Sequence, residues 1–253
     1  MLENACRSSV TLSVVSHGHG EMVWRLVNKL SNLESVAKII VTLNIPEKIP
    51  QQLPDCVQLI HNLESMGFGA NHNQAFASCN TKIFGVINPD IDLIVDPFPV
   101  LLQTLADECI GVVGPKVVAV DGATEDSLRR FPTLISLMSR YLLPGRQETF
   151  FTRGGLVFPD WIAGMFMLFK TSDYQHIGGF NTNYFMYCED ADICTRLWLL
   201  KKWVALNSNA IVVHQARRGS RRSLRHLLWH IASLIRYQAT YFRSLPSIPK
   251  LMA

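Results

Sequence analysis

Asp90 is the first candidate for a residue that binds a metal ion and, through it, a phosphate-bearing ligand. It stands in the segment Asn88-Pro-Asp-Ile-Asp92, directly after the apolar run Ile83–Ile87. A carboxylate at the carboxyl end of a buried parallel strand can hold a hard divalent cation together with ligand phosphates. The segment therefore predicts a Mg²⁺ or Mn²⁺ site, while Asn-Pro-Asp is also turn chemistry and a plain turn stays open as the alternative.

A second acidic group, Glu189, Asp190 and Asp192, lies where a helix is predicted to begin. A helix N-terminus favours ionised carboxylates. Glu189 and Asp192 are three residues apart and share one side of the helix, so Asp190 points elsewhere and can serve a different role. Asp192 also stands four residues before Arg196, which predicts an ion pair. Simple helix capping is the alternative, but three acids behind an aromatic-rich loop are more than capping needs.

Two further segments could bind an anion. His214 ends a predicted strand and is followed by Arg217, Arg218, Gly and Ser, so an imidazole could contact a metal and the arginines could hold phosphate oxygens. A histidine at a strand end is also commonly just packed or solvated.

The Gly- and Asn-rich segment Gly67–Gln74 precedes a helix and could let a ligand approach the backbone, although it is neither a P-loop nor G-x-G-x-x-G.

The pattern of apolar residues predicts alternating strands and helices. Strands are predicted at 11–16, 37–43, 57–61, 83–87, 111–120, 161–170 and 210–214, and helices at 22–33, 71–79, 99–109, 190–200 and 223–243. This alternation is typical of an α/β fold with a mostly parallel sheet and helices on both faces. Ligands then bind at the carboxyl ends of the strands. Residues 121–159 are poorer in pattern, with a short helix at 134–143, and predict a mobile segment beside the site.

Composition limits the class of protein. The chain has 253 residues, 48% of them hydrophobic and 17% charged, which excludes a disordered chain and predicts one large domain with, at most, a helical appendage. No uncharged apolar run reaches the roughly 18–20 residues of a spanning helix. Glu3 and the lack of a basic start argue against a secretory signal. Six cysteines without a C-x-x-C pair predict reduced thiols in a cytosolic protein.

Charge is distributed unevenly along the chain. Residues 193–253 carry 11 Lys or Arg and no acidic residue, whereas residues 1–192 carry all 20 Asp and Glu. Such a tail predicts an anionic partner, which could be a phosphate-bearing ligand, a lipid surface or nucleic acid. Its predicted helix has apolar residues on one face, which fits a helix lying on an anionic leaflet or one packed on the catalytic domain or a second subunit. The residues of that face are Leu224, Leu227, Leu228, Ile231, Leu234 and Ile235.

The order of the motifs resembles the family 2 inverting glycosyltransferases with a GT-A fold, in particular the rhamnosyltransferase-like branch of bacterial surface polysaccharide synthesis. The resemblance covers about residues 10–220. It rests on Val14–His19, Asn62, Gly67–Asn73, Asn88–Asp90, Gly114–Lys116, Arg130–Pro132, Trp161–Met165, Gly178–Phe180, Phe185–Asp192 and His214. It implies a GT-A (Rossmann-like) catalytic domain at 1–215, with a nucleotide-sugar half at about 1–115 and an acceptor half at about 116–215. A basic helical extension at 216–253 would follow.

The resemblance also implies roles for individual residues. Asp190 matches the catalytic base, Glu189 and Asp192 the supporting acids, and Asp90 and His214 the metal-binding residues. The implied acceptor-binding residues are Trp161, Ala163 and Gly164. The implied donor-binding residues are Ser16, His17, Asn44, Gly69, Asn73, Asn88, Arg217 and Arg218. The chain departs from the family at three places. At Leu43 many members carry an acid that contacts the nucleotide base, and Asn44 or Thr42 would substitute for it here. His17 replaces a Tyr-Asn pair, and Asn88 replaces the first acid of the D-x-D motif.

We therefore expect a glycosyltransferase that moves a sugar from a nucleoside diphosphate donor to a glycan or lipid-linked glycan. The favoured sugar is a deoxyhexose such as rhamnose. The resemblance implies a reaction with inversion at the anomeric carbon and Mg²⁺ or Mn²⁺ as cofactor. It also implies a role in bacterial polysaccharide or O-antigen assembly and a cytoplasmic location that can include the inner face of the membrane, with a homodimer as an option.

The rival functions lack their motifs. A dehydrogenase would need G-x-G-x-x-G after the first strand, and Ser16–Gly20 lacks that spacing. A nucleic-acid binder would need a recognition motif that is not visible. A non-catalytic nucleotide- or glycan-binding protein of the same fold stays the alternative, although Asp90, Asp190 and His214 argue against it.

Overall fold

The computed structural model describes residues 9–134, 136, 138, 142, 148–215 and 224–248. The strands are β1 (Val10–Ser16), β2 (Val36–Leu43), β3 (Val57–His61), β4 (Ile83–Ile87), β5 (Ile91–Asp92), β6 (Ile110–Ala119), β7 (Leu128–Arg129), β8 (Phe151–Arg153), β9 (Leu156–Phe158), β10 (Trp161–Ile162), β11 (Phe166–Lys170) and β12 (Trp203–His214). The helices are α1 (Glu21–Ser31), α2 (Phe68–Phe76), α3 (Phe98–Leu105), α4 (Thr171–His176), α5 (Glu189–Leu199) and α6 (Leu224–Tyr241).

Ten of the strands form one mixed sheet in the order β3-β2-β1-β4-β11-β6-β12-β9-β8, with β5 paired to β12. Strands β3, β2, β1 and β4 are parallel, β11 runs antiparallel between β4 and β6, and β12 is parallel to β6. The carboxyl ends of β1, β4 and β12 therefore lie at the same edge of the sheet. This confirms the predicted α/β architecture and brings the loops after Ser16, Ile87 and His214 to that edge.

Hydrophobic periodicity explains why α1 packs on the sheet. Its buried residues Val23, Leu26, Val27 and Leu30 recur at helical spacing, and their face contacts the core. Each such side chain contributes roughly 1.5–3 kcal/mol on burial. The five described cysteines, Cys56, Cys79, Cys109, Cys188 and Cys194, are free thiols, as the sequence predicts.

Three predicted elements differ in the structure. The strand predicted at 161–170 is two strands, because the chain turns at 163–165 and the N–H of Gly164 leaves the ladder. Strand β12 begins at Trp203 rather than at Ala210, because its early residues are buried and pair with β6 across the polar Asn-Ser-Asn interruption. The helix predicted at 190–200 ends one residue early, so Leu200 follows the end of α5 and is 47% exposed.

The segment predicted to be poor in structure contains regular pairs. Strands β8 and β9 form an antiparallel pair that extends the sheet, and β7 pairs with β10 in a separate two-stranded sheet. The short helix predicted at 134–143 lies mostly outside the described residues.

His72, a buried histidine on α2, makes the free energy of unfolding depend on pH in a testable way. Its Nδ1 lies 2.8 Å from the hydroxyl of Ser13 on β1, and burial lowers its pKa from 6.5 to about 3. Because the unfolded chain takes up this proton first as the pH falls, the stability that neutral His72 provides is lost progressively between about pH 6.5 and pH 3. The slope for one group is at most about 1.4 kcal/mol per pH unit.

We expect His72→Gln to flatten the loss of unfolding free energy between pH 7 and pH 5, measured by urea denaturation at several pH values. His61→Gln, at an exposed position, is the matched control and should leave the profile unchanged. Parallel wild-type and His72→Gln profiles would contradict the assignment.

Candidate active site

The turn between β10 and β11 joins the two predicted acidic sites. The N–H of Gly164 donates to Asp190 Oδ2 at 3.0 Å, and the N–H of Asn88 donates to the carbonyl of Met165 at 2.9 Å. Gly164 and Met165 are neighbours, so a single short connection holds the start of α5 and the Asn88–Asp90 turn. The structure thus brings Asp190, Gly164 and the predicted metal segment to one edge of the sheet.

The three acids at the start of α5 have different environments. Glu189 is 5% exposed and its Oε2 has no hydrogen-bond partner, and burial together with the charge of Asp190 raises its pKa well above its usual range. Asp192 is 1% exposed, and its two oxygens accept hydrogen bonds from Arg196 and from the hydroxyl of Tyr241, each at 2.8 Å. The predicted Asp192–Arg196 pair is therefore present, and both acids are committed to the interior.

Asp190 is the acid of this group that is only partly buried. Burial raises its pKa, while the N–H groups of Gly164 and Ala191 and the nearby charge of Arg129 act in the opposite direction. Hydrogen bonds to both of its oxygens fix the carboxylate in orientation. A carboxylate with a raised pKa and a fixed orientation is suited to accept a proton from a bound hydroxyl.

The loop before α5 is strained. Tyr187 and Cys188 have φ values of 72° and 63°, left-handed conformations that non-glycine residues rarely adopt. Each costs on the order of 1–3 kcal/mol and persists because its surroundings hold it in place. The two residues turn the chain so that α5 starts at Glu189 and presents Asp190 to Gly164.

The predicted metal site forms where β5 pairs with the end of β12. The N–H of Gln215 donates to the carbonyl of Asp90 at 2.7 Å, and His214 Nε2 lies 3.1 Å from Asp90 Oδ2. The hydrogen bond to Asp90 raises the pKa of His214, and the charges of Asp90 and Glu125 add to it while burial opposes it. Glu125 Oε1 is 3.7 Å from His214 Nδ1.

The donor set of this site fits a divalent cation whose other ligands come from water and a diphosphate. Asp90 Oδ1 is buried without a hydrogen-bond partner, and an unpaired carboxylate oxygen beside an imidazole can complete such a site. Asp92 is engaged elsewhere, by an ion pair with Lys29 and a hydrogen bond from Gln215. Within the described residues no cluster of three or more His, Cys, Asp or Glu has a metal-binding arrangement.

A cavity of about 440 Å³ adjoins Asp90 between α1 and the Asn88–Asp90 turn. This volume is within the range of small-molecule sites. Its lining includes three basic or titratable side chains besides the acids, namely His19, Arg25 and Lys29. Because Glu21, Asp90 and Asp92 also line it, the cavity suits a phosphate-bearing ligand that enters together with a divalent cation.

Two comparisons identify relatives in sequence. The chain is 27% identical over 245 residues to the rhamnosyltransferase WbbL of Escherichia coli (strain K12), covering 91% of this chain and 92% of that protein. It is 27% identical over 210 residues to an N-acetylglucosaminyl-diphospho-decaprenol L-rhamnosyltransferase of Mycobacterium tuberculosis, covering 73% of this chain and 67% of that protein. No protein-family model matches the chain.

Solved structures show the same fold. The structure of GalNAc-T7 with UDP, GalNAc and Mn²⁺ superposes with a TM-score of 0.64 at 12% identity, over 84% of this chain and 44% of that one. The mannosyltransferase PcManGT from Pyrobaculum calidifontis, in complex with GDP-Man and Mn²⁺, gives 0.59 at 17% identity, over 92% and 65%. The chain therefore has the GT-A fold and is similar in sequence to rhamnosyltransferases, which together support a glycosyltransferase.

Asn44, a predicted donor-binding residue of this glycosyltransferase, is held inside the protein. Its side-chain oxygen accepts from the N–H of Met66 at 2.8 Å and from Asn62 at 2.9 Å, and its nitrogen lies 3.2 Å from His17 Nδ1. Thr42, the alternative, is fully buried. These bonds link the loop after β2 to the segment before α2 and account for an asparagine here. Contact with the donor stays a prediction for both Asn44 and His17.

Gly69 and Asn73 contact the turn at Phe180, which precedes the acids of α5. Asn73 donates to the carbonyl of Phe180 at 2.8 Å and accepts from its N–H at 2.9 Å. A Cβ at Gly69 would lie 2.6 Å from Phe180 Cβ, so only glycine fits against this side chain. Packing explains both residues, and their role in donor binding stays a prediction.

The remaining predicted donor residues lie at the same edge of the sheet as Asp90 or outside the described residues. Ser16 is buried at the end of β1, and its hydroxyl accepts from the N–H of His19 at 3.3 Å. Asn88 is half-buried beside Asp90. Arg217 and Arg218 lie outside the described residues.

Glu47 holds the loop after β1, a role that the sequence analysis missed. It accepts hydrogen bonds from the N–H groups of Gly18 at 2.9 Å and Gly20 at 3.0 Å. Burial acts to raise its pKa, but bonds from Ser16, Gly20 and Gly18 lower it overall. Both glycines have positive φ, and Glu47 fixes the loop after β1 in that shape. No local motif marks it, because its partners are almost thirty residues away.

The predicted acceptor residues form a compact wall beside Asp190. Trp161 Nε1 donates to the carbonyl of Arg130 at 2.8 Å, and the guanidinium of Arg129 lies 5.1 Å from its ring centre. The N–H of Ala163 donates to the carbonyl of Ser127 at 2.9 Å. These bonds join β10 to the β7 segment and fix the turn that contains Gly164.

Helix α6 packs beside the site, one of the alternatives that the sequence analysis left open, but by a face other than the predicted apolar one. Tyr187 contacts it through a 2.8 Å hydrogen bond between its hydroxyl and His226 Nδ1, and through an edge contact with the ring of His230. The ring of Phe185 packs on Trp229 at 4.7 Å. The predicted boundary at 215 adjoins residues outside the described part of the chain and stays a prediction, but α6 itself packs on the catalytic domain.

Proposed function

We propose that this glycosyltransferase moves a deoxyhexose, with rhamnose as the favoured sugar, from a nucleoside diphosphate donor to a lipid-linked glycan. The transfer inverts the anomeric configuration and belongs to bacterial polysaccharide or O-antigen assembly. The observation that carries the proposal is the short turn whose Gly164 holds Asp190 and whose Met165 holds the Asn88–Asp90 turn. A base and a diphosphate-binding acid on one connection are what a transfer from a diphosphate to a hydroxyl needs.

Asp90 and His214 are the residues that would hold Mg²⁺ or Mn²⁺. A bound cation would neutralise charge on the diphosphate as it leaves. The unpaired Oδ1 of Asp90 supports this assignment, and both solved structures of the same fold contain Mn²⁺. The choice between the two metals is left to experiment.

Asp190 acts as the general base. In a single displacement, the bond from the anomeric carbon to the diphosphate oxygen breaks while the acceptor oxygen bonds to the opposite face of that carbon. The acceptor proton passes to Asp190, and the nucleoside diphosphate leaves with the electron pair. The raised pKa of Glu189 favours its protonated form and Asp192 is paired with Arg196, so Asp190 is the acid of this group best placed to take the proton.

The sugar and the acceptor are proposed from the relatives. Both sequence relatives are rhamnosyltransferases, and the name of the mycobacterial one specifies a diphospho-decaprenol acceptor. Two aromatic rings near Asp190 provide apolar surface of the kind that packs on sugars: Trp161, over which the guanidinium of Arg129 lies, and Tyr187, which contacts His230. A cytoplasmic location belongs to the same proposal.

A thermal-shift panel of nucleoside diphosphate sugars, each with and without Mg²⁺ or Mn²⁺, tests the donor. We expect one deoxyhexose donor to give the largest rise in Tm, and only with metal. A ligand at 100 times its Kd stabilises by about 2.7 kcal/mol. The matching sugar 1-phosphate, which lacks the diphosphate and the nucleoside, is the control. No shift with any donor would contradict the proposal, and binding without acceptor-dependent release of nucleoside diphosphate would favour a non-catalytic binding protein.

A further inference from the structure

Helix α6 presents a row of large apolar side chains to solvent. Leu224 is 79% exposed, Leu228 67% and Ile235 64%. Leu227 and Ile231 are also exposed, at 54% and 44%. Successive residues of an α-helix are about 100° apart, so these five lie within about 100° of arc around the axis. We call this row the outer stripe.

The outer stripe is not the face by which α6 packs on the catalytic domain. Ser233 donates to the carbonyl of Met186 at 2.8 Å, and the hydroxyls of Tyr237 and Thr195 are 2.6 Å apart. Tyr241 donates to Asp192 at 2.8 Å. These buried contacts lie on the opposite side of the helix, and they hold α6 rigidly while the stripe stays uncovered. Of the residues predicted to share the apolar face, Leu234 alone packs against the core.

Basic residues flank the stripe on one side. Arg225 and Arg236 fall within about 20° of each other around the axis and roughly 100° from the centre of the stripe. The guanidinium of Arg225 lies 4.6 Å from the ring centre of Trp229. No acidic residue occurs from Ile193 to the end of the chain. The charged residues of α6 are therefore all basic, which complements an anionic partner.

We propose that α6 docks the enzyme on an anionic lipid bilayer, with the outer stripe at the acyl boundary and the arginines among the headgroups. An apolar face bordered by arginine and tryptophan is the composition of helices that lie in a membrane interface. A second copy of the chain is a poorer occupant, because it would place this acid-free, arginine-rich segment against an identical one. Within the described residues no helix is both long and apolar enough to cross a bilayer.

The orientation of α6 gives this docking a consequence for the substrate. The side of α6 that faces the domain contacts Tyr187, next to the acids of α5. Docking by the outer stripe would therefore bring the acceptor side of the site close to the lipid surface, where a lipid-linked glycan is located. This consequence rests on the proposed function, whereas the docking itself does not.

Flotation with liposomes tests the docking. The wild-type chain should float with phosphatidylcholine vesicles that contain phosphatidylglycerol, bind weakly to pure phosphatidylcholine, and lose binding as salt rises. The double variant Leu228→Gln with Ile235→Gln should partition at least about tenfold more weakly. Arg225→Gln should weaken binding to the anionic vesicles by about fivefold. The matched control, Leu63→Gln with Ile94→Gln, changes two exposed apolar residues elsewhere and should float like the wild type.

Two results would overturn the proposal. One is an absence of flotation at every lipid composition. The other is a wild-type dimer in sedimentation that the Leu228→Gln, Ile235→Gln variant converts to monomer while flotation is unchanged. Thermal unfolding confirms that the variants fold, and transfer to a water-soluble acceptor should be the same in wild type and double variant. Failure of docking is thereby distinguished from failure of the proposed activity.

Discussion

Asp190→Asn is expected to lower the rate of sugar transfer by about 10²–10⁴-fold, the usual contribution of a general base. Asparagine keeps the size of the side chain and can still accept the hydrogen bond from Gly164 through its oxygen, but it cannot take the acceptor proton. Binding of the donor should change little, because the metal site is built from other residues. The measurement is kcat for nucleoside diphosphate release with acceptor, together with the donor Kd by calorimetry.

Glu189→Gln is the matched control for this change. The carboxyl of Glu189 is buried, and its raised pKa favours the neutral form, which a glutamine resembles in shape and charge. We expect transfer within a few-fold of the wild-type rate. A large loss in Glu189→Gln, with near-normal transfer by Asp190→Asn, would move the role of base to Glu189.

Asp90→Asn is expected to abolish transfer and to remove the metal-dependent part of donor binding. Asp90 Oδ1 is the unpaired buried oxygen of the site, and an amide is a far weaker ligand for a divalent cation than a carboxylate. Calorimetric titration of nucleoside diphosphate, with and without Mn²⁺, measures the effect. The wild type should bind more tightly with metal, and the variant should bind equally with and without it.

Asp92→Asn provides the comparison for Asp90. Asp92 is in the same segment, but it forms an ion pair with Lys29 at the surface, and such pairs contribute little to stability. We expect the metal dependence of donor binding to survive this change. If the Asp90→Asn variant kept the full metal dependence, the metal assignment would be wrong.

Local sequence patterns predicted the regular part of the fold. Strand β4 was predicted at its observed bounds because Ile83–Ile87 is uniformly apolar and ends at Asn-Pro-Asp. Helix α5 was predicted to within a residue because its acidic first turn and apolar period mark its start. The order of such motifs was enough to predict the GT-A fold through the family resemblance, which the structural comparisons confirm.

Long-range contacts could not be predicted in the same way. Gly164 and Asp190 are 26 residues apart, and nothing in either segment indicates that the N–H of one reaches the carboxylate of the other. Glu47 has no motif, and its function depends on two amides far away in sequence. The periodicity of α6 predicted an apolar face, but which face would pack was decided by Tyr237 and Tyr241, whose hydroxyls find buried partners on α5.

The stereochemistry of the product tests the central claim most directly. The purified enzyme is incubated with the best donor from the thermal-shift panel, Mn²⁺ and a soluble acceptor, and the anomeric configuration of the new linkage is determined by NMR. Direct displacement with Asp190 as base predicts a product whose anomeric configuration is opposite to that of the donor, formed only when metal is present. Retention of the donor configuration, or equal product without metal, would contradict the mechanism.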